Sequence, residues 1–222
     1  MTRLNKFLAQ RLNISRRKAD SIISEGLITV NGKIASNGVI VNPEKDIILY
    51  NQNQLPAAQP KMTILFNKPI GFVCSRNGQN NNTIYDILPE KYHHLNPIGR
   101  LDKNSGGLLV LTNDGDLSYN LSHPSNQKQK IYIVSLDKPL KTEDEEQLSK
   151  GVELSDGPSR LLLSQLGESR KKWNITLHEG RNRQIRRSFD ALGYKVTKLV
   201  RTKFGDFSLI LVPGQRDILE IS

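Results

Sequence analysis

Residues 98–115 read IGRLDKNSGGLLVLTNDG, and the order of residue types in this stretch decides how the chain is interpreted. Polar and flexible residues come first, an apolar run follows, and Asn-Asp-Gly closes the segment. This order predicts a buried β-strand over Gly107–Thr112 that ends in a turn. Asp102 would then lie in the loop before the strand, between Arg100 and Lys103, whose charges favour an ionised carboxylate. At this point, a turn or salt-bridge role for Asp102 and a catalytic role both remain open.

A second informative stretch is EGRNRQIRRSFDALG, residues 179–193. Helical spacing over 182–193 places Ile185, Phe189 and Leu192 on one apolar stripe and three arginines on another flank. The planar fork of an arginine side chain can bind phosphate through two hydrogen bonds. The segment is therefore either a phosphate-binding helix or a solvated basic helix.

Between and around these stretches, strand patterns outnumber helix patterns. Helices are predicted over 115–122, 142–150 and 182–193. Predicted strands cover Met62–Asn67, Gly107–Thr112, Lys130–Leu136, Ser159–Leu166, Trp173–His178, Lys195–Lys203 and Phe207–Val212. Because they do not alternate regularly with the helices, we expect an α+β fold with a mixed, mainly antiparallel β-sheet flanked by helices.

The first 50 residues predict a small helix-helix-strand domain. Apolar residues at helical spacing over 4–12 indicate one short helix, and Ser15 and Gly26 are suitable start and end residues for a second. Leu27–Val30 and Asp46–Tyr50 are predicted strands, the first ending at an Asn-Gly turn. The polar stretch NQNQLPAAQP contains two prolines and predicts a linker. The expected domains are 1–50 and 61–222, joined by a linker over 51–60.

Composition places the chain among soluble proteins that bind polyanions. Of its 222 residues, 36% are hydrophobic, and the net charge is +10. Between residues 170 and 203, eleven Lys and Arg face two acids, a net +9, which is typical of a nucleic-acid-binding face. We find no run of about 18 apolar residues and no secretory signal pattern, so no membrane association and a cytoplasmic location are expected. Cys74 is the single cysteine and the four histidines lack ligand spacing, so no metal site is expected.

Four motifs in order resemble one protein family. The pattern at 99–115 is similar to the catalytic signature of the RsuA/RluB family of ribosomal RNA pseudouridine synthases, and EGRNRQIRR at 179–187 resembles the family's later motif. Lys130-Ile131-Tyr132-Ile133-Val134 matches a Lys-x-Tyr-x-Val strand, and Asn67-Lys68-Pro69-x-Gly71 fits the usual start of the catalytic domain. Residues 3–33 resemble the small RNA-binding domain of ribosomal protein S-four type that precedes many of these enzymes.

The resemblance implies a role for individual residues. Asp102 would be the catalytic carboxylate, acting either as a nucleophile or as a general base on a ribose proton. Tyr132 would pack on the target base and Leu199 would line the pocket. Arg186 would pair with Asp102, although Arg181 or Arg183 could take that place. No cofactor or metal is implied, because isomerisation at C1′ imports no group and oxidises nothing.

The same resemblance implies two RNA-binding surfaces. One would lie on the second helix of the small domain, and the other around the catalytic pocket. The candidate RNA-binding residues are Arg16, Arg17, Lys18, Arg100, Lys130, Arg181, Arg183 and Arg187. The expected partner is ribosomal RNA or a pre-ribosomal particle, large-subunit RNA is favoured over small-subunit RNA, and a monomer is the default.

A competing hypothesis from another class is a non-catalytic RNA-binding factor for ribosome assembly. The small domain alone is compatible with it. A pure binding protein, however, has no need of a carboxylate among cations that seek phosphate. The joint presence of Asp102, Tyr132 and the 179–187 motif therefore favours the enzyme.

Overall fold

The computed structural model describes residues 1–209 and 218–221. The chain divides into one unit over Met1–Lys61 and a second over Met62–Ser222. Each unit has its own buried apolar cluster, so each is described by itself. Every helix in the described ranges is too short or too polar to span a lipid bilayer.

Two helices and six short strands form the first unit. In chain order these are β1 (Thr2–Arg3), α1 (Leu4–Leu12), α2 (Arg16–Ser24), β2 (Ile28–Val30), β3 (Lys33–Ile34), β4 (Ile40–Val41), β5 (Ile48–Tyr50) and β6 (Asn53–Gln54). The main chain of Lys18 donates to the Ser15 hydroxyl at 3.1 Å, and Gly26 follows the helix at a φ of 74°, so both predicted boundary residues of α2 are confirmed. The helices pack together through four buried side chains, Leu4, Leu8, Ile22 and Ile23.

The predicted linker over 51–60 is wrong in its first part. Asn51 and Gln52 take positive φ angles of 47° and 63° and form a tight turn, after which β6 pairs with β5. Leu55 also packs against the core of the first unit. Asparagine tolerates this left-handed backbone better than most residues, and for that reason a polar stretch can continue a sheet here.

The second unit is built on one large sheet. Its strands are β7 (Thr63–Lys68), β8 (Asn96–Pro97), β9 (Gly106–Thr112), β10 (Lys130–Leu136), β13 (Leu162–Gln165), β14 (Lys172–Leu177), β15 (Val196–Phe204), β16 (Phe207–Ser208) and β17 (Ile218–Ile221), while β11 (Val152–Leu154) and β12 (Gly157–Ser159) form a separate hairpin. The main order is β13-β14-β10-β15-β9-β7-β17, with β15 and β9 parallel and the other pairs antiparallel. The expected mixed, mainly antiparallel sheet is confirmed.

Among the described residues of this unit, three α-helices accompany the sheet, α3 (Gly115–Ser122), α4 (Thr142–Lys150) and α5 (Gln184–Asp190), together with three short 3-10 turns. The bounds of α3 and α4 agree with the prediction. Helix α5 is shorter than the predicted 182–193, because Arg183 takes a left-handed φ of 47° before it and the chain turns away after Asp190, where Gly193 has a φ of 77°.

Two strand predictions need correction. The predicted strand over 159–166 is broken, since Leu161 turns into the core and its main chain donates to Leu148 at 3.0 Å. The predicted strand over 207–212 is observed at Phe207–Ser208, and its last three residues lie outside the described ranges.

Candidate active site

A cavity of about 880 Å³ opens over the central strands of the second unit. It brings together residues that are far apart in the sequence, from the loop before β9, from β10 and β15, and from the segment before α5. The sequence-predicted residues that line it are Arg100, Asp102, Lys130, Tyr132, Arg181, Arg183 and Leu199. A volume of this size is sufficient for an organic ligand larger than a single base.

Asp102 lies in the turn that enters β9. Its carbonyl accepts from the main chain of Ser105 at 3.0 Å, which closes the turn, and its side chain is half-buried at the cavity wall. Within residues 1–209 and 218–221, no side chain forms a hydrogen bond or an ion pair with the Asp102 carboxylate. The carboxylate is therefore available to a ligand in the cavity.

A buried lysine fixes the backbone of this turn. Lys68 at the end of β7 is 1% exposed, and its ammonium group donates to the carbonyl oxygens of Pro69 at 2.9 Å, Asp102 at 3.3 Å and Ser105 at 2.8 Å. Burial lowers the pKa of Lys68, while the charges of Cys74 and Asp102 oppose that shift. The three bonds satisfy all three donors of the ammonium group.

The floor of the cavity is one face of strands β10 and β15. Tyr132 is the antiparallel partner of Arg201, Lys130 is the partner of Phe204, and all four residues line the cavity. Ile131 pairs with Lys203 and the next residue, Tyr132, pairs with Arg201, so β15 carries one extra residue at this point. Such a bulge reverses the alternation of side chains, and it thereby places Arg201 and Phe204 on the same face.

Parallel pairing between β9 and β15 brings the Asp102 loop beside this floor. Gly107 is the partner of Arg201, and a Cβ atom at Gly107 would lie 2.2 Å from the Arg201 carbonyl oxygen. Gly107 also has a φ of 97°. Glycine is therefore required for the close approach of these two strands.

The expected ion pair between Arg186 and Asp102 is not formed. The Arg186 guanidinium donates instead to the carbonyl oxygens of Val196 and Asn104, each at 2.7 Å. Burial lowers the pKa of Arg186 and so does the charge of Arg183, whereas the charge of Asp102 raises it. Arg186 thus lies within electrostatic range of Asp102, and its hydrogen bond to Asn104 links α5 to the loop that follows Asp102.

The arginines around α5 differ in whether their side chains already form ion pairs within the protein. Arg181 and Arg187 both bind Asp156 in the turn between β11 and β12, at 3.1 Å and 2.8 Å. Arg187 holds both carboxylate oxygens, and its hydrogen bond is the main cause of the lowered pKa of Asp156. Arg183, in contrast, is exposed at the cavity, and its guanidinium group has no hydrogen-bond or ion-pair partner in the described part of the chain. Of these three, Arg183 is the one whose side chain is available for phosphate, and neither Arg181 nor Arg183 pairs with Asp102.

The remaining predicted cations occupy two places. Arg100 is exposed at the rim of the cavity, two residues before Asp102. In the first unit, the three cations Arg16, Arg17 and Lys18 form the exposed first turn of α2. Across the described ranges, no group of three His, Cys, Asp or Glu side chains is arranged to hold a metal ion.

Sequence reasoning assigned no role to two buried cations at this site, Lys68 and Arg201. A lysine at the end of an apolar strand is a weak signal by itself, since most such lysines face solvent. For Arg201, side chains two residues apart on a strand share a face, so Arg201 lies on the same face as Leu199. The predicted place of Leu199 in the pocket could therefore have indicated Arg201 as well.

Comparisons with known proteins agree with this architecture. A family model described as RNA pseudouridylate synthase matches residues 62–191, and an S4 domain model matches residues 2–48. Ribosomal large subunit pseudouridine synthase B of Yersinia pestis is 35% identical over 217 residues, which are 93% of this chain and 68% of that protein. An uncharacterized RNA pseudouridine synthase of Aquifex aeolicus is 35% identical over 220 residues, covering 96% and 88% of the two chains.

One solved structure extends the similarity to the fold. A crystal structure of pseudouridylate synthase aligns with a TM-score of 0.67 at 30% identity and covers 100% of this chain and 96% of that one. The resemblance inferred from the four sequence motifs is confirmed. The chain therefore belongs to the RNA pseudouridylate synthase family of RNA-modifying isomerases, and its synthase unit follows an S4 domain.

Proposed function

We propose that this protein isomerises one uridine of large-subunit ribosomal RNA to pseudouridine, with Asp102 as the catalytic carboxylate. Relatives named ribosomal large subunit pseudouridine synthase B, at 35–36% identity, support the choice of substrate. The observation that carries the catalytic assignment is the Asp102 side chain, which lines a cavity with Tyr132 and forms no direct ion pair or side-chain hydrogen bond with the described residues.

The reaction needs no imported group. The bond between C1′ and N1 of the uridine breaks, the base rotates, and a bond forms between C1′ and C5. N1 gains a proton and C5 loses one, so the atoms balance. Asp102 acts at the ribose, either by attack on C1′ or by removal of a ribose proton, and both fit a carboxylate to which no described side chain is hydrogen-bonded.

The other cavity residues would bind and orient the nucleotide. A base within a helix is inaccessible to a carboxylate, so the uridine is extruded from its stack. The ring of Tyr132 offers a stacking surface worth about 1–3 kcal/mol per base. Leu199 packs at the same floor, and Arg186 holds the loop after Asp102 through the Asn104 carbonyl. Arg100, which is exposed at the rim, would contact the RNA at the site that the base vacates.

The small unit would bind structured RNA through shape and phosphate contacts. Its exposed cluster at Arg16, Arg17 and Lys18 is suited to this role. We further propose that the protein acts as a cytoplasmic monomer on ribosomal RNA or on a pre-ribosomal particle.

The test is a map of pseudouridines in ribosomal RNA from cells that lack this protein. We expect one large-subunit site to lose its modification, and we expect the wild-type gene, but not an Asp102→Asn gene, to restore it. If the map does not change, or if the Asp102→Asn gene restores the site, the proposal is wrong. An unchanged map would favour a binding role in ribosome assembly, whereas restoration by the Asp102→Asn gene would mean that a group other than Asp102 is catalytic.

A further inference from the structure

A buried arginine on the floor of the cavity has an unused donor. Arg201 is 2% exposed, and its Nε donates to the Leu108 carbonyl oxygen at 2.8 Å. Its Nη2 is fully buried and finds no hydrogen-bond partner in the described residues. An unsatisfied buried donor on a charged group is costly, which points to a ligand that completes the site.

The charge of Arg201 is also uncompensated. No carboxylate within residues 1–209 or 218–221 lies within 4 Å of its guanidinium group. A buried charge that is left without its partner is strongly destabilising, because it has lost its hydration and gained no opposite charge. The contact with the Phe204 ring, whose centroid is 4.8 Å from the Arg201 Cζ, offsets this only in part.

A second cation lies next to Arg201. Lys130 is half-buried, and its Nζ lies 5.4 Å from the centroid of the same Phe204 ring. Its hydrogen bond to the carbonyl oxygen of Glu179 is long, at 3.4 Å. Burial lowers the pKa of Lys130, the charge of Arg201 lowers it further, and the charge of Glu179 opposes both.

The acids of the cavity do not neutralise this pair. Of the described residues that line the cavity, six are cationic, and two, Asp102 and Glu179, are acidic. Glu179 already accepts from Gln184 and lies 3.5 Å from the Arg181 Nε. Asp102 forms no ion pair with either floor cation in the described structure.

We propose that Lys130 and Arg201 form a phosphate subsite on the cavity floor, which binds a backbone phosphate of the uridine that enters beside Asp102. This inference rests on the proposed function and deepens it. An anion is favoured over a neutral acceptor, such as a uracil carbonyl, because two adjacent desolvated cations are relieved only by negative charge. The pair would also offset the repulsion between that phosphate and the Asp102 carboxylate.

The experiment is a coupling measurement between protein charge and phosphate charge. The probe is a short single-stranded RNA with one uridine, made unmodified and with a neutral methylphosphonate on either the 5′ or the 3′ side of that uridine. Binding of each RNA is measured for the full-length wild type and for Arg201→Gln and Lys130→Gln. Lys172→Gln is the matched control, because it removes one exposed charge from β14 outside the cavity.

For one of the two neutral positions, we expect the wild type to lose roughly tenfold in affinity, the effect of one charged hydrogen bond. Arg201→Gln should bind the RNA with this neutral linkage almost as tightly as it binds the unmodified RNA, because the interaction with the phosphate is already lost. Lys130→Gln should behave likewise. Each variant should also reduce the slope of log affinity against log salt concentration by about one, since one fewer phosphate is neutralised. Relative to the wild type, the Lys172→Gln control should lose affinity by the same factor for all three RNAs.

The subsite is wrong if, at both the 5′ and the 3′ linkage, the loss of affinity from the protein substitution and the loss from the neutral linkage simply multiply. A loss on Arg201→Gln that is equal for charged and neutral linkages would mean a neutral acceptor and would also overturn it. Lys130 is half-exposed and tolerates substitution more readily, so Lys130→Gln keeps the test decisive if Arg201→Gln does not fold.

Because the measurement reads binding and not product formation, the result is separable from the proposed function. An absent coupling with an intact Asp102 dependence of product formation refutes only the subsite. A measured coupling in a protein that forms no pseudouridine refutes only the enzymatic assignment.

Discussion

The ammonium group of Lys68 hydrogen-bonds to the main-chain carbonyl oxygen of Asp102 at 3.3 Å. Since the same group also binds the carbonyl oxygens of Pro69, next to β7, and of Ser105, next to β9, it links the end of β7 to the start of β9. Lys68 is therefore a positioning residue. It does not line the cavity, but it fixes the backbone from which the Asp102 carboxylate extends.

Lys68→Met should lower the free energy of unfolding by about 2–4 kcal/mol, because three carbonyls lose their donor and the burial of the side chain is kept. It should also slow pseudouridine formation through kcat while KM for RNA changes little. Denaturant unfolding and steady-state kinetics measure both effects. Lys103→Met, an exposed change in the same loop, is the control for stability, and equal behaviour of the two variants would refute the positioning role.

Gly107→Ala should destabilise the fold by about 2–4 kcal/mol, through overpacking and a strained backbone. The added Cβ would lie 2.2 Å from the Arg201 carbonyl oxygen. The midpoint of urea unfolding is the measurement. Gly115→Ala, at a helical glycine with no atom within 4 Å of the added Cβ, is the matched control and should leave the midpoint almost unchanged. A wild-type midpoint for Gly107→Ala would show that β9 and β15 do not approach as described.

Asp156 should make the stability of the second unit depend on acid pH. Its hydrogen bond with Arg187 lowers its pKa in the folded state, and the charges of Arg181 and Arg187 act in the same direction. A lowered folded pKa contributes stability above the unfolded pKa of about 3.9, and this is lost as pH falls through the folded value.

Asp156→Asn should therefore be less stable than the wild type at pH 6, and the difference should shrink as pH falls below about 4. Thermal unfolding across this range measures it. Glu153→Gln, an exposed change on the same hairpin, should not reproduce the trend. A difference that stays constant with pH would mean that Asp156 acts through shape alone.

Arg16→Ala combined with Arg17→Ala should weaken RNA binding and reduce its salt dependence by about one to two ions. Both side chains are exposed at the start of α2, so the fold should be unaffected. Lys33→Ala with Lys45→Ala removes the same charge elsewhere in the first unit and should change the slope less. If the two double variants behave alike, the helix is not the RNA-binding surface of this unit.

Local chemistry made much of the fold predictable. The cap at Ser15, the turn at Asn31-Gly32 and the apolar run in β9 each depend on near neighbours in the sequence, and each agrees with the structure. The segments Gly115–Ser122 and Lys130–Leu136 were predictable for the same reason.

What the sequence did not reveal depends on distant pairing. Arg181 and Arg187 are held by Asp156, which lies 25 and 31 residues away, and no local pattern predicts that contact. The bulge in β15 that turns Phe204 toward the cavity exists only because β10 pairs with it. For the same reason, the burial of Lys68 becomes evident only when β7 and β9 lie side by side.

The most direct test of the account is the rate of pseudouridine formation by purified protein on ribosomal RNA, with Asp102→Asn compared with the wild type. Asp206→Asn, in the exposed turn after β15, is the matched control. We predict a loss of roughly a thousandfold or more for Asp102→Asn with RNA binding retained, and a wild-type rate for Asp206→Asn. A rate for Asp102→Asn close to that of the wild type would contradict the assignment of this carboxylate as the catalytic group.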